Sequence, residues 1–203
     1  PALLVAITVV IQCLAVQMSR YRLSRMNARP PHHGLALMSG MLAAAAIILR
    51  LYQNDSAVGV LFMTIMTGCM TLMTLTDAAS CRLPRPFTIM YLISGSAFRL
   101  WQGDWLTGLC SAGFWFLLLL LFRQYTSYRR KTETIGLGDV FLIAGIAIWS
   151  PPGDIPWIVA TAAGGALLYL WCNRQRRITR ELPFGPFLCA SQYAFTFYPG
   201  GLW

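Results

Sequence analysis

Charge is what this sequence has least of. Of its 203 residues only 11% are Asp, Glu, Lys or Arg, against the roughly 25% usual in a soluble domain, while 57% are hydrophobic. That balance excludes a soluble globule and places the chain in a bilayer. Long polar stretches are also missing. A membrane-crossing helix takes roughly 20 apolar residues, so eight of them would use about 160 and leave about 43 for connections, too few for any sizeable soluble domain. The six cysteines (Cys13, Cys69, Cys81, Cys110, Cys172, Cys189) stand singly with no CxxC between them. Neither a zinc site nor a disulfide framework is readable from them, and small core residues are the plain reading. No long repeat or low-complexity segment is evident.

What is present is a succession of apolar runs, near residues 2–19, 34–52, 57–76, 86–101, 106–122, 136–150, 155–172 and 184–198. They predict an all-α, polytopic membrane protein of about eight transmembrane helices. The first run has no basic residue ahead of it and is followed at once by Arg20, Arg22, Arg25 and Arg29, so it reads as a retained span and not a signal peptide. Residues 1–203 are expected to form a single membrane domain, with 20–33 as a short cytoplasmic loop.

The net charge of +9 sorts by side. Fourteen of the 16 basic residues fall in the first, third, fifth and seventh connections, whereas the alternate ones hold only Arg50 and Arg99 together with Asp55, Asp104 and Asp154. The positive-inside rule then makes the odd connections cytoplasmic and both termini periplasmic. Basic clusters divided among short loops serve orientation and contact with anionic lipid, so nucleic acid is not an expected partner. Close helix approach is expected at the small-residue pairs Gly40 with Ala44, Ala160 with Gly164, and Ala162 with Ala166.

Of the seven acidic residues, Asp55, Asp104, Glu133, Asp154 and Glu181 lie in connections where hydration accounts for them. Asp77 and Asp139 do not. Asp77 closes the third span, in TLTDAASCRLP, and Asp139 is the fourth residue of the sixth, in GLGDVFLIAGIAIW, so both enter the hydrocarbon boundary from the cytoplasmic side. Carboxylates at that depth are expensive and mark ion paths, proton relays or catalytic sites. Gly136 and Gly138 bracket Leu137 just before Asp139 and permit a turn and a close approach. A sixth span of about 15 residues rises only about 22 Å, which leaves irregular backbone, and with it water, near Asp139. On the third span Met66, Met70 and Met73 share a helix face with Asp77, a stripe read as packing.

Two carboxyl groups brought together cannot both ionise easily, so the pair keeps one proton near neutral pH. One group can then draw a proton from an attacking water while the other hydrogen-bonds the scissile carbonyl oxygen and protonates the leaving amine, which hydrolyses a peptide without a metal. From the helix ends alone, Asp139 near an N-terminus suits the base and Asp77 near a C-terminus suits the acid.

These residues closely resemble the type IV prepilin peptidase family, the bacterial GxGD intramembrane aspartic proteases. The match rests on DAASCRLPRPFT from Asp77 to Thr88, GLGD from Gly136 to Asp139, and LPFGPFLCAS from Leu182 to Ser191, in that order and on one side of the membrane. The resemblance implies Asp77 and Asp139 as the catalytic pair, with Gly136, Gly138, Pro183, Gly185 and Pro186 supporting the site. Pro183, Gly185 and Pro186 are expected to break the regular start of the last span near the active site. It further implies a bacterial inner-membrane enzyme. Its partner is a prepilin or pseudopilin precursor with a short basic leader, cut at the cytoplasmic face just before the hydrophobic segment.

Many members carry, after their first span, an insertion with paired CxxC motifs associated with N-methylation by S-adenosylmethionine. Residues 20–33, RYRLSRMNARPPHH, stand at that position instead, so a peptidase without methyltransferase activity is expected. No cofactor and no metal is expected; His32 and His33 have no third ligand in sight. Arg85 stands where the family often has Asp or Asn, and Phe141 where a lysine often follows the GxGD aspartate. The alternative from another class is a multipass transporter or proton channel using the two aspartates as a relay, which would need ionisable groups on a path to the far side. A catalytically silent assembly subunit, or a presenilin-type GxGD protease, whose later motif is Pro-Ala-Leu, fits these residues less well.

Overall fold

A computed structural model describes residues 2–25, 33–52, 56–81, 83–130, 136–172 and 182–196. Among them are eight α-helices and no strand: α1 (Ala2–Arg25), α2 (His33–Tyr52), α3 (Ala57–Ser80), α4 (Arg85–Gln102), α5 (Trp105–Arg130), α6 (Leu137–Trp149), α7 (Ile155–Cys172) and α8 (Gly185–Thr196). Each coincides with one of the apolar runs. Four are long and apolar enough to cross a membrane, α1 (from Leu4), α3, α5 and α7. Large apolar side chains lie open on the outside, among them Val9, Leu14, Met41, Ile93, Phe114, Leu121, Leu167 and Trp171. Surfaces of that kind need lipid around them, and the chain is a multipass membrane protein.

The axis of the bundle is α3. It packs on α1, α2, α4 and α8, and fifteen of its 24 residues are buried, which accounts for a helix apolar nearly all round. Met63, Met66, Met70 and Met73 fill its core contacts, so the methionine stripe is packing, as read. Its threonines satisfy their hydroxyls locally: Thr64 donates to the Val60 carbonyl at 2.9 Å and Thr76 to that of Leu72 at 2.8 Å. Thr64 and Thr67 also meet Thr8 and Gln12 of α1, at 3.2 and 3.1 Å.

The close approaches lie elsewhere than the small-residue pairs suggested. Gly40 and Gly164 face open space, and Ala44 and Ala160 are exposed; of the three pairs only Ala162 and Ala166 are buried. Instead α4 and α6 meet through a reciprocal pair. A Cβ on Gly95 would stand 2.8 Å from Ile148 and Trp149 atoms, and one on Gly145 would stand 2.6 Å from the Tyr91 ring. Tyr91, Phe98 and Trp149 stack in the space so created, with ring centroids 5.9 and 5.2 Å apart. The Trp149 Nε1–H donates to the Tyr91 carbonyl at 3.1 Å.

Two helix ends and one side chain differ from expectation. Helix α1 continues through Arg20, Arg22 and Arg25, and α5 runs to Arg130, because arginine extends a helix as readily as leucine. The connection read as 20–33 therefore shrinks to 26–32; these residues, Arg29 and His32 among them, lie outside the described ones, as do Asp55, Arg82, Glu133, Glu181 and the arginines at 174–180. Arg99 is no loop cation. It is buried in the last turn of α4, donates from Nε to the Ile148 carbonyl at 2.8 Å and from Nη2 to the Ser150 carbonyl at 3.0 Å, and pairs with Asp104 at 3.4 Å. It thereby caps the carbonyl end of α6. Cys69 and Cys189 are core residues, whereas Cys13, Cys110 and Cys172 are exposed.

Candidate active site

Asp77 lies in the last turn of α3 and is 4% exposed. The helix stops at Cys81, a left-handed residue (φ 50°) whose N–H returns to the Asp77 carbonyl at 2.7 Å. This tight stop turns the chain straight into Leu83 and Pro84, the N-cap of α4, with Pro86 in the first turn where its missing N–H costs nothing. Asp77 to Cys81 thus form a helix end and a sharp corner, and Leu83 to Pro86 a helix start, with Leu83 packed against the core.

Asp139 is the third residue of α6, one position earlier in the helix than expected, because Gly136 is the extended N-cap (φ −64°, ψ 136°) and not the first helical residue. The Asp139 N–H donates to the Gly136 carbonyl at 3.2 Å, and Oδ2 of Asp139 lies 3.3 Å from where a Cβ on Gly136 would stand. The carboxyl therefore folds back over the start of its own helix. A Cβ on Gly138 would stand 2.8 Å from Leu83 Cβ. The GLGD loop is packed directly on the corner that follows Asp77, and only a residue without a side chain fits between them.

The third block closes the site. Helix α8 begins at Gly185, with Pro186 in its first turn, so these residues start the helix rather than interrupt it. The Gly185 N–H donates to Oδ2 of Asp77 at 2.8 Å, and a Cβ there would stand 2.7 Å from the same oxygen. Pro183 precedes the helix and is half-buried; Phe184 supplies the carbonyl that the Phe187 and Leu188 N–H groups reach, at 3.1 and 3.2 Å. The N-terminal end of α8 is thus aimed at the Asp77 carboxylate, an anion site made of backbone. Through the Gly138–Leu83 contact the two aspartates stand at the same end of the bundle.

All three sequence blocks therefore meet at one end of the bundle. Asp77, Asp139, Gly136, Gly138 and Gly185 are brought together; Pro183 and Pro186 flank the start of α8. Two partners were not singled out from the sequence, Leu83 as the surface against Gly138 and the Gly185 N–H as a ligand of Asp77. Phe141 packs its ring on Phe116 of α5, with centroids 5.2 Å apart, while Arg85 is exposed at the start of α4. Among the described residues no group of three or more His, Cys, Asp or Glu side chains could hold a metal ion.

Residues 62–171, which carry both aspartates and the GLGD loop, match the type IV leader peptidase family. The chain belongs to this family. It is similar to the prepilin leader peptidase/N-methyltransferase of Burkholderia pseudomallei strain 1026b, 33% identical over 175 residues that cover 81% of this chain and 53% of the relative. The corresponding protein of strain K96243 matches to the same extent. The chain spans about half the length of these curated relatives. No solved structure is a significant match to it.

Proposed function

We propose that this leader peptidase family member is an aspartic endopeptidase. In this reading it cuts the short basic leader of prepilin or pseudopilin precursors at the cytoplasmic face of the bacterial inner membrane. The observation that carries it is the meeting of the family's three blocks on Asp77: Leu83 against Gly138 beside Asp139, and Gly185 on Asp77 itself.

In the reaction one aspartate, ionised, takes a proton from water as its oxygen attacks the scissile carbonyl carbon. The other, protonated, hydrogen-bonds the carbonyl oxygen; collapse of the tetrahedral intermediate breaks the C–N bond and the amine leaves with a proton from the dyad. The helix-end argument no longer separates base from acid, because Asp77 meets the N-terminus of α8 as well as the C-terminus of α3. Gly136, Gly138, Pro183, Gly185 and Pro186 hold the geometry. The relay alternative finds no second observation in its favour.

In the same reading all eight helices cross, the shorter α6 and α8 with help from irregular backbone, and both termini lie outside. Methyl transfer is not assigned, since α1 and α2 are separated only by residues 26–32. Co-expression with a prepilin, followed by sequencing of the shortened product's N-terminus, tests the assignment. A cut just before the hydrophobic segment is expected, and an uncut precursor beside correctly inserted enzyme would contradict it.

A further inference from the structure

A groove of about 610 Å³ runs between α1 and α4 over the outer side of α3. It is not the aspartate cleft. Its α3 wall is made by Ile65, Gly68, Cys69 and Leu72, one helical face, whereas Asp77 continues the face of Met66, Met70 and Met73, about a third of a turn away. Its open sides are apolar and face the lipid: Leu14, Met18 and Tyr21 of α1 and Met90 of α4 are all exposed. The α1 and α4 backbones do not pack on each other, so the gap between them is left for something else to fill. Its volume lies within the range of about 300–1,000 Å³ typical of ligand sites.

One end of the groove is charged. The Arg22 guanidinium lies 4.9 Å over the ring of Phe87, and that of Arg25 lies 5.0 Å over the ring of Tyr21. Both rings are walls of the groove. Two cations are thus set on two aromatic side chains where the last turn of α1 meets the first turn of α4, while no acidic side chain among the described residues lines the cavity. A long apolar trough ending in two fixed guanidiniums is complementary to an amphiphile with an anionic head. A precursor with a basic leader would instead bring like charge to Arg22 and Arg25, so the groove is a poor seat for the substrate proposed above.

We infer that the α1–α3–α4 groove binds one anionic phospholipid, with an acyl chain along Leu14, Met18, Leu72 and Met90 and the phosphate between Arg22 and Arg25. The lipid takes the place of close α1–α4 backbone packing beside the end of the bundle that carries the aspartates. The inference is independent of the peptidase reading, since it concerns binding alone.

Native mass spectrometry of the full chain in neutral detergent tests it, with phosphatidylglycerol or phosphatidylcholine of the same acyl chains added as probes. One phosphatidylglycerol should be retained in roughly 30-fold preference, equivalent to about 1 kcal/mol for each of two arginines near the headgroup. Arg22→Gln with Arg25→Gln should abolish the preference, Arg22→Lys with Arg25→Lys should keep most of it, and Leu14→Trp, which fills the trough, should lower retention of both lipids. Arg129→Gln, away from the groove, should leave the preference intact. Thermal melting of each variant separates lost binding from lost folding. Equal retention of the two lipids by the wild type, an undiminished preference in a folded Arg22→Gln/Arg25→Gln chain, or an equal loss in Arg129→Gln would overturn the inference.

Discussion

The backbone N–H of Gly185 and Oδ2 of Asp77 are 2.8 Å apart, and no side chain at position 185 could exist without moving that carboxylate. The contact joins residues 108 positions apart in sequence and fixes α8 against α3 at the proposed reacting centre.

A methyl group at position 185 should therefore be felt in catalysis before stability. Gly185→Ala is expected to reach the membrane at normal levels and to process precursor about 100-fold more slowly, the scale of an ångström misplacement of a reacting group. Steady-state rates beside immunoblotted enzyme levels check this; a rate within twofold of wild type would show that the Gly185 contact does not position Asp77.

Gly138 and Leu83 make the second joint. Gly138→Ala places a Cβ 2.8 Å from Leu83 Cβ and should push the GLGD loop off the corner after Asp77. Because the crowding comes from one side chain, Leu83→Gly in the same chain should restore part of the lost activity, although Leu83→Gly alone is itself impaired. A double-mutant cycle on cleavage rate reads the coupling, and strictly additive effects would deny the contact.

A shared-proton dyad sets the sign of the pH dependence. Activity needs one carboxyl ionised and one protonated, so cleavage must fall on the acid side, where both are protonated, and on the alkaline side, where both are ionised. The rate of cleavage by detergent-solubilised enzyme, measured across pH with the protein's integrity checked at each point, should be bell-shaped. Absence of an acid limb is the result that excludes a titrating dyad.

At the opposite end of the bundle Arg99 holds the carbonyls of Ile148 and Ser150. Removing it in Arg99→Met should destabilise the protein by at least about 1.5–3 kcal/mol, the range for hydrogen bonds to a charged group. Asp104 is half-exposed and its loss in Asp104→Asn should cost little, since surface ion pairs contribute about 0–1 kcal/mol. Thermal unfolding in detergent distinguishes the two; equal losses would mean that the ion pair, not the cap, is what matters.

The helices were legible because apolar runs announce themselves, and the two aspartates because a bilayer leaves so few reasons to keep a carboxylate at its edge. What was illegible depends on partners distant in sequence. Gly40 and Gly164 look like packing residues but face open space, whereas Gly95 and Gly145 matter only because Trp149 and Tyr91 come to rest on them. Arg99 counted as a loop charge until the end of α6 was brought to it. The Gly185 N–H is a backbone group that no side-chain pattern discloses, and the helix end it belongs to removes the basis on which Asp77 was assigned the acid's role.

The most direct test of the central claim is the cleavage rate of one prepilin by purified wild type, Asp77→Asn and Asp139→Asn enzyme, each verified as folded by its melting transition. Asparagine keeps the shape of the side chain and removes the proton exchange. Loss of at least about 1,000-fold in each variant is predicted, in keeping with the 10²–10⁴-fold carried by a positioned acid or base. Near wild-type cleavage by either one would contradict the dyad.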